Sequence, residues 1–118
     1  MHINNGGVFR SFGSYEAEAV AFSMTFPDKS TLKKIVIGFS ATPTTSEDLT
    51  VDLDSAGGSD YDTNIITIDP SAEGVTESMI LTFDEGEMDF IYNDGIDIAY
   101  TNTDVADISV SVYYEVTP

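Results

Sequence analysis

Apolar residues recur at every second position along most of this chain, and that spacing narrows what it can fold into more than any other feature. Val20, Phe22, Met24 and Phe26 share one phase, as do Ile35, Ile37 and Phe39, and then Leu49, Val51 and Leu53 with Thr50 and Asp52 between them. Successive side chains of a strand point to opposite faces, so a period of two marks a half-buried strand, whereas a helix would repeat every three or four residues. The pattern continues through the short β-branched stretch 64–68, then Met79, Leu81 and Phe83, then Met88, Phe90 and Tyr92, then Ile96, Ile98 and Tyr100. It ends with Ile108, Val110, Val112, Tyr114 and Val116.

Between these runs lie polar turns rich in Pro, Gly, Asp and Ser, so that strand and turn alternate without any long amphipathic helix. Such a record predicts an all-β domain of about eight antiparallel strands in a two-sheet β-sandwich, jelly-roll-like. Asp94 and Gly95 read as a tight hairpin turn joining the Met88 run to the Ile96 run, because glycine tolerates the positive φ of a primed turn. Glu16, Ala17, Glu18 and Ala19 favour helix locally, but the segment 15–21 runs straight into Val20 and is read as strand. The expected core is Val20, Phe22, Ile35, Ile37, Phe39, Leu49, Val51, Leu53, Leu81, Phe83, Phe90, Ile98, Val110 and Val112.

A chain of 118 residues supports one core, which places a single sandwich domain at 15–118. Residues 1–14 are polar, aperiodic and glycine-containing, and are expected to form a flexible N-terminal arm. Phe9 and Phe12 flank Arg10 within it, an arrangement suited to anchoring the arm on a neighbouring subunit or a particle surface. The first fifteen residues lack a basic start followed by an apolar run, so no secretory leader is expected. No window approaches the length of apolar sequence that a membrane helix needs, and no membrane partner is expected.

Charge is the second constraint. Twenty-one acidic residues against four basic ones give a formal net charge of -17, and Arg10, Lys29, Lys33 and Lys34 all fall in the first third of the chain. An acidic surface repels phosphate backbones, which argues against nucleic-acid partners. The bland reading of the acidity is solubility; the sharper one is that the basic N-terminal third, with Lys33 and Lys34, docks on an acidic partner while the remainder faces solvent. Tyr113 and Tyr114 are adjacent in a strand and must point to opposite faces, so one of them faces outward or into a subunit contact.

Catalytic chemistry finds little to work with. The single histidine is His2 and cysteine is absent, so nucleophile–histidine pairs and zinc sites lack their parts. Phosphate-binding glycine loops followed by Lys are also missing. Paired carboxylates abound, but a small sandwich without tryptophan has little means to bury one of them in a sugar cleft. The expectation is a protein that is not an enzyme and has no cofactor. Calcium is the one ion considered: Asp52, Asp54, Asp60 and Asp62 surround a glycine turn in DLDSAGGSDYD, although Ala56 and Thr63 stand where an EF-hand loop needs oxygen ligands. The plainer reading is an acidic hairpin loop between two strands.

The stretch SATPTTSEDLTVDLDSAGGSDYDTNIITIDPSA at 40–72, together with NDGIDIAYTNTD at 93–104, resembles the small β-rich accessory virion proteins of tailed bacteriophages. That resemblance implies a structural protein located in the virion, of the capsid decoration or cement kind or a small tail or fibre component. It further implies the major capsid protein or another virion protein as partner, and a homo-oligomer around a symmetry axis, such as a trimer. The alternative is a calcium-dependent or carbohydrate-binding adhesion module.

Overall fold

A computed structural model describes residues 8–84 and 87–117. Among these residues the chain forms nine strands: β1 (Val8–Tyr15), β2 (Val20–Thr25), β3 (Ser30–Phe39), β4 (Leu49–Asp54), β5 (Thr63–Ile68), β6 (Ser78–Thr82), β7 (Asp89–Phe90), β8 (Gly95–Tyr100) and β9 (Ile108–Val116). All pairings are antiparallel. One sheet has the order β1-β9-β3-β6, with β7 also paired to β3, and the other has the order β2-β8-β4-β5. In each sheet an early edge strand pairs with a late inner one, β1 with β9 and β2 with β8, and the middle strands β6 and β5 close the far edges, which is the winding of a jelly roll.

Alternation explains the two-layer packing. Val20, Phe22, Met24 and Phe26 on or just past β2, and Leu32, Ile35, Ile37 and Phe39 on β3, all turn into the space between the sheets. Leu49 and Val51 of β4, Ile96, Ile98 and Tyr100 of β8, and Ile108, Val110 and Val112 of β9 close that space from their own strands. Leu53, Leu81 and Phe83, expected in the core, are only partly buried and pack against its rim. Phe26 lies at the centre of an aromatic cluster, stacked on Phe90 with centroids 4.5 Å apart and meeting the edge of Tyr114 at 5.3 Å.

Three local expectations are corrected. First, residues 8–14 are no free arm: β1 pairs with β9 along its whole length, from Val8 opposite Glu115 to Tyr15 opposite Ile108. Gly13 and the exposed Phe9 and Phe12 hid an alternation whose inward positions are small or marginal. Residues 1–7, the rest of the expected arm, lie outside the described residues.

Second, the segment 15–21 is not one strand. It breaks between β1 and β2, where Ala17 takes a φ of 53° and the chain crosses from one sheet to the other.

Third, Asp94 and Gly95 do not join a hairpin, because β7 belongs to the sheet of β3 and β8 to that of β2 and β4. Asn93, with a φ of 68°, makes the bend. Gly95 is needed for a different reason: a Cβ there would sit 2.6 Å from the Met24 carbonyl oxygen. The buried Asp94 side chain fastens this crossing by accepting the N–H groups of Ala56 (2.9 Å) and Ile91 (3.0 Å).

At the other end of the sandwich, carboxylates tie the loop 101–107 to the β3–β4 connection. Asp104 accepts from the hydroxyl and N–H of both Thr44 and Thr45 at 2.6 to 3.2 Å. Glu47 accepts from the N–H and hydroxyl of Thr103 at 2.9 and 2.6 Å. Asn102, buried and left-handed at φ 59°, donates to the carbonyls of Glu18 and Ala106 and accepts the Ala106 N–H. The Thr45 hydroxyl first, then the N–H groups of Thr44 and Thr45, hold the Asp104 carboxyl at about 2. Burial pushes the Tyr100 hydroxyl up to about 12, with Glu47, Asp104 and Asp69 adding to the effect.

Two predictions follow from these contacts. Gly95→Ala forces β8 off the Met24 carbonyl and is expected to lower stability by about 2 kcal/mol, read from the urea midpoint. Asp104 has a folded pKa below the ordinary 3.8, so its stabilisation is complete above that value and is lost as pH falls towards 2. Urea midpoints recorded across that window should therefore decline, and Asp104→Asn should flatten part of the decline.

Candidate interaction face

Register decides which side chains share the outer surface of the five-stranded sheet. Residues directly opposite in an antiparallel pair point to the same side. Arg10 stands opposite Tyr113, Tyr113 opposite Lys34 and Lys34 opposite Thr82, forming one row across β1, β9, β3 and β6. The next row is Phe12, Ser111, Val36 and Ile80, and the one beyond it Ser14, Ser109, Gly38 and Ser78. None of these twelve positions holds a carboxylate, in a chain with 21 of them. Acid returns at both ends of the face, with Glu115 and Asp89 in the row beyond Arg10 and with Glu16 and Asp107 beside the Ser14 row.

This outer face is cationic, aromatic and apolar at once. The Arg10 guanidinium lies 4.7 Å from the centroid of the Phe12 ring, and the Lys34 ammonium 4.8 Å from that of Tyr113. Each cation sits on the face of a π-system and keeps its polar tip available. Phe12 and Ile80, at the two ends of the apolar row, are 53% and 59% exposed, far more than their neighbours between the sheets. Gly38 leaves the third row flat, since a Cβ there would meet the Ser109 hydroxyl at 2.8 Å.

The structure thus brings together Arg10, Phe12, Lys34 and Tyr113 from the residues singled out in the sequence. It separates the other three. Phe9 and Tyr114 lie on the opposite side of the sheet, stacked at 5.8 Å, with Tyr114 packed into the core cluster. Lys33 falls at a bulge between Leu32 and Lys34, where its carbonyl accepts the Phe83 N–H. Val36 and Ile80 were missed as members of the face. Their signal was available, because strands that send Ile35, Ile37, Met79 and Leu81 inward must present Val36 and Ile80 outward.

The opposite sheet has another character. Its outer rows are Ala21, Ala99, Thr50 and Thr67, then Ser23, Asp97, Asp52 and Asn64. Asp97 and Asp52 therefore stand directly opposite one another, a like-charge pair that costs stability. Neutral donors temper it: the Ser23 hydroxyl at 2.7 Å from Asp97 and the Asn64 amide at 2.8 Å from Asp52.

The four aspartates named for calcium are spread along the segment 52–62. Among the described residues no group of three or more His, Asp or Glu side chains is placed to hold a metal ion. Asp52 and Asp54 project from β4, Asp60 lies in a single 3-10 turn, and Asp62 turns back to accept the Ser55 N–H at 2.7 Å. The segment is the acidic hairpin loop joining β4 to β5.

No protein-family model matches the chain, and neither does any curated protein. Solved structures with a similar course include the Drosophila NLP core, described in terms of pentamer formation and histone binding. It has 13% identity and a TM-score of 0.46, over 89% of this chain and 96% of that one. A chain of the T13 IBDV viral particle is similar at 8% identity and a TM-score of 0.31, over 98% of this chain and 40% of that one.

With a net charge of -17 and paired carboxylates on the acidic sheet, the folded state repels itself, and added salt screens that repulsion. The melting temperature is expected to rise by several degrees between low and moderate sodium chloride, with Asp97→Asn reducing the increment.

Proposed function

We propose that this chain is a non-enzymatic structural subunit, an accessory protein of a virus particle of the decoration or cement kind, acting as an oligomer. The observation that carries the docking part of this reading is the outer face of the five-stranded sheet. An acidic protein has gathered Arg10 and Lys34, two aromatic rings and an apolar row onto one flat surface without carboxylates. Flat faces with aromatic and arginine anchors suit protein partners, and cations resting on rings meet carboxylates with little loss of side-chain freedom. The partner surface that fits is apolar with a few acidic groups, while the acidic sheet of this chain faces solvent and keeps the particle from adhering to others. The virion setting draws on the resemblance of 40–72 and 93–104.

The test is binding to shells assembled from the major capsid protein of the same virus, read by co-sedimentation. The wild-type chain should sediment with the shells. Lys34→Glu combined with Tyr113→Ala should weaken binding at least tenfold, and Ala21→Ser on the other sheet should leave it unchanged. Absence of wild-type binding, or equal binding by the Lys34 and Tyr113 variant, overturns the reading.

A further inference from the structure

Edge strands expose a row of unpaired N–H and C=O groups, and proteins blunt them with proline, lysine, bulges or charge. β1 shows only the last of these, in the single charge of Arg10. Its eight residues, VFRSFGSY, hold no proline, no lysine and no carboxylate, and the pairing with β9 runs through without a register shift. The other sheet edges, β2, β5 and β6, are shorter, at 6, 6 and 5 residues. β1 also carries Val8, Phe9 and Phe12, exposed at 59%, 50% and 53%. In a molecule of net charge -17, an eight-residue stretch whose only charge is Arg10 is a place where a second copy can approach against little repulsion.

From these observations we infer that the occupant of this edge is β1 of a second copy, paired antiparallel across a two-fold axis at Ser11. A two-fold seam is isologous, so each contact appears twice, and the pleat requires matched faces across it. Setting Ser11 opposite Ser11 satisfies both. It places Arg10 opposite Phe12 of the second copy, repeating across the seam the cation–ring contact that each chain makes within itself, and sets Phe9 against Gly13, an aromatic covering a residue without a side chain. Moving the axis to Arg10 stacks two like charges, and moving it to Phe12 leaves Arg10 opposite Ser14.

The product is one continuous sheet, β6-β3-β9-β1 meeting β1-β9-β3-β6 of the second copy, with both interaction faces on the same side. This is a dimer, in place of the trimer implied by the phage resemblance. It stands independently of shell docking, whose test uses Lys34 and Tyr113 on other strands.

The chain has no native cysteine, which makes the seam testable. Sedimentation equilibrium of the full chain should give twice 12.7 kDa at micromolar concentration, and Arg10→Glu should raise the dissociation constant at least tenfold with an unchanged circular dichroism spectrum. Ser11→Cys should form a disulfide-linked dimer under mild oxidation, since opposed strand residues meet disulfide geometry. Ser14→Cys, which the register holds far from its copy, should not. A mass that stays at one chain over the whole concentration range overturns the proposal, as does cross-linking of Ser14→Cys as readily as of Ser11→Cys.

Discussion

Most carboxylates of this protein have to be held without cations, and much of the loop structure depends on that constraint. Four basic residues cannot serve 21 acidic ones, so hydroxyls, amides and backbone N–H groups take their place. Asp104 holds Thr44 and Thr45, Glu47 holds Thr103, Asp69 holds Ser46, Asp89 holds Thr31 and Asp94 holds Ala56 and Ile91. Hydrogen bonds hold the Asp104 and Asp69 carboxyls below the usual carboxylate range, and each of these acceptors fixes a turn in return. The threonines and serines that look like neutral filler between the strands are the counterpart of this acidity.

Much of the sandwich was legible because the period of two is enforced by burial on one side only. Where the structure departs from the reading, the chain breaks its own phase. Leu32 is fully buried yet out of step with Ile35, Ile37 and Phe39, because the bulge at Lys33 inserts one residue and restores the inward direction. Period counting drops such a residue by construction. β1 escaped for a related reason: its inward positions are Phe9, Ser11, Gly13 and Tyr15, so size and polarity conceal the alternation. The turn at Asp94 was visible as a turn, but whether a turn returns to the same sheet or crosses to the other depends on partners that lie far away in sequence.

The interaction face was legible in pieces. Arg10, Lys34 and Tyr113 stand out individually as rare cations and a doubled tyrosine, yet only register places them in one row, since β1, β9 and β3 are far apart along the chain. Parity fixed that one of Tyr113 and Tyr114 turns outward, and the structure assigns that position to Tyr113. Carboxylates are excluded from a surface that no local pattern delimits, which is why composition suggested an acidic surface and missed the clear window within it.

The place of β9 between β1 and β3 has a consequence for how the protein is made. Two strands from the first third of the chain share a partner that is among the last to be synthesised, so neither can complete its sheet while the ribosome is still working through the intervening loops. At ordinary elongation rates that interval between Tyr15 and Ile108 lasts roughly 5 to 20 seconds. Once Phe39 has been added, and for the rest of that interval, Phe9, Phe12, Leu32 and Ile35 sit on unfinished ladders in a chain that holds all of its positive charge and is accumulating negative charge. The acidity of the later strands then acts as a solubilising tag on the nascent chain itself, keeping waiting edges of neighbouring polysomes apart until β9 arrives to close them.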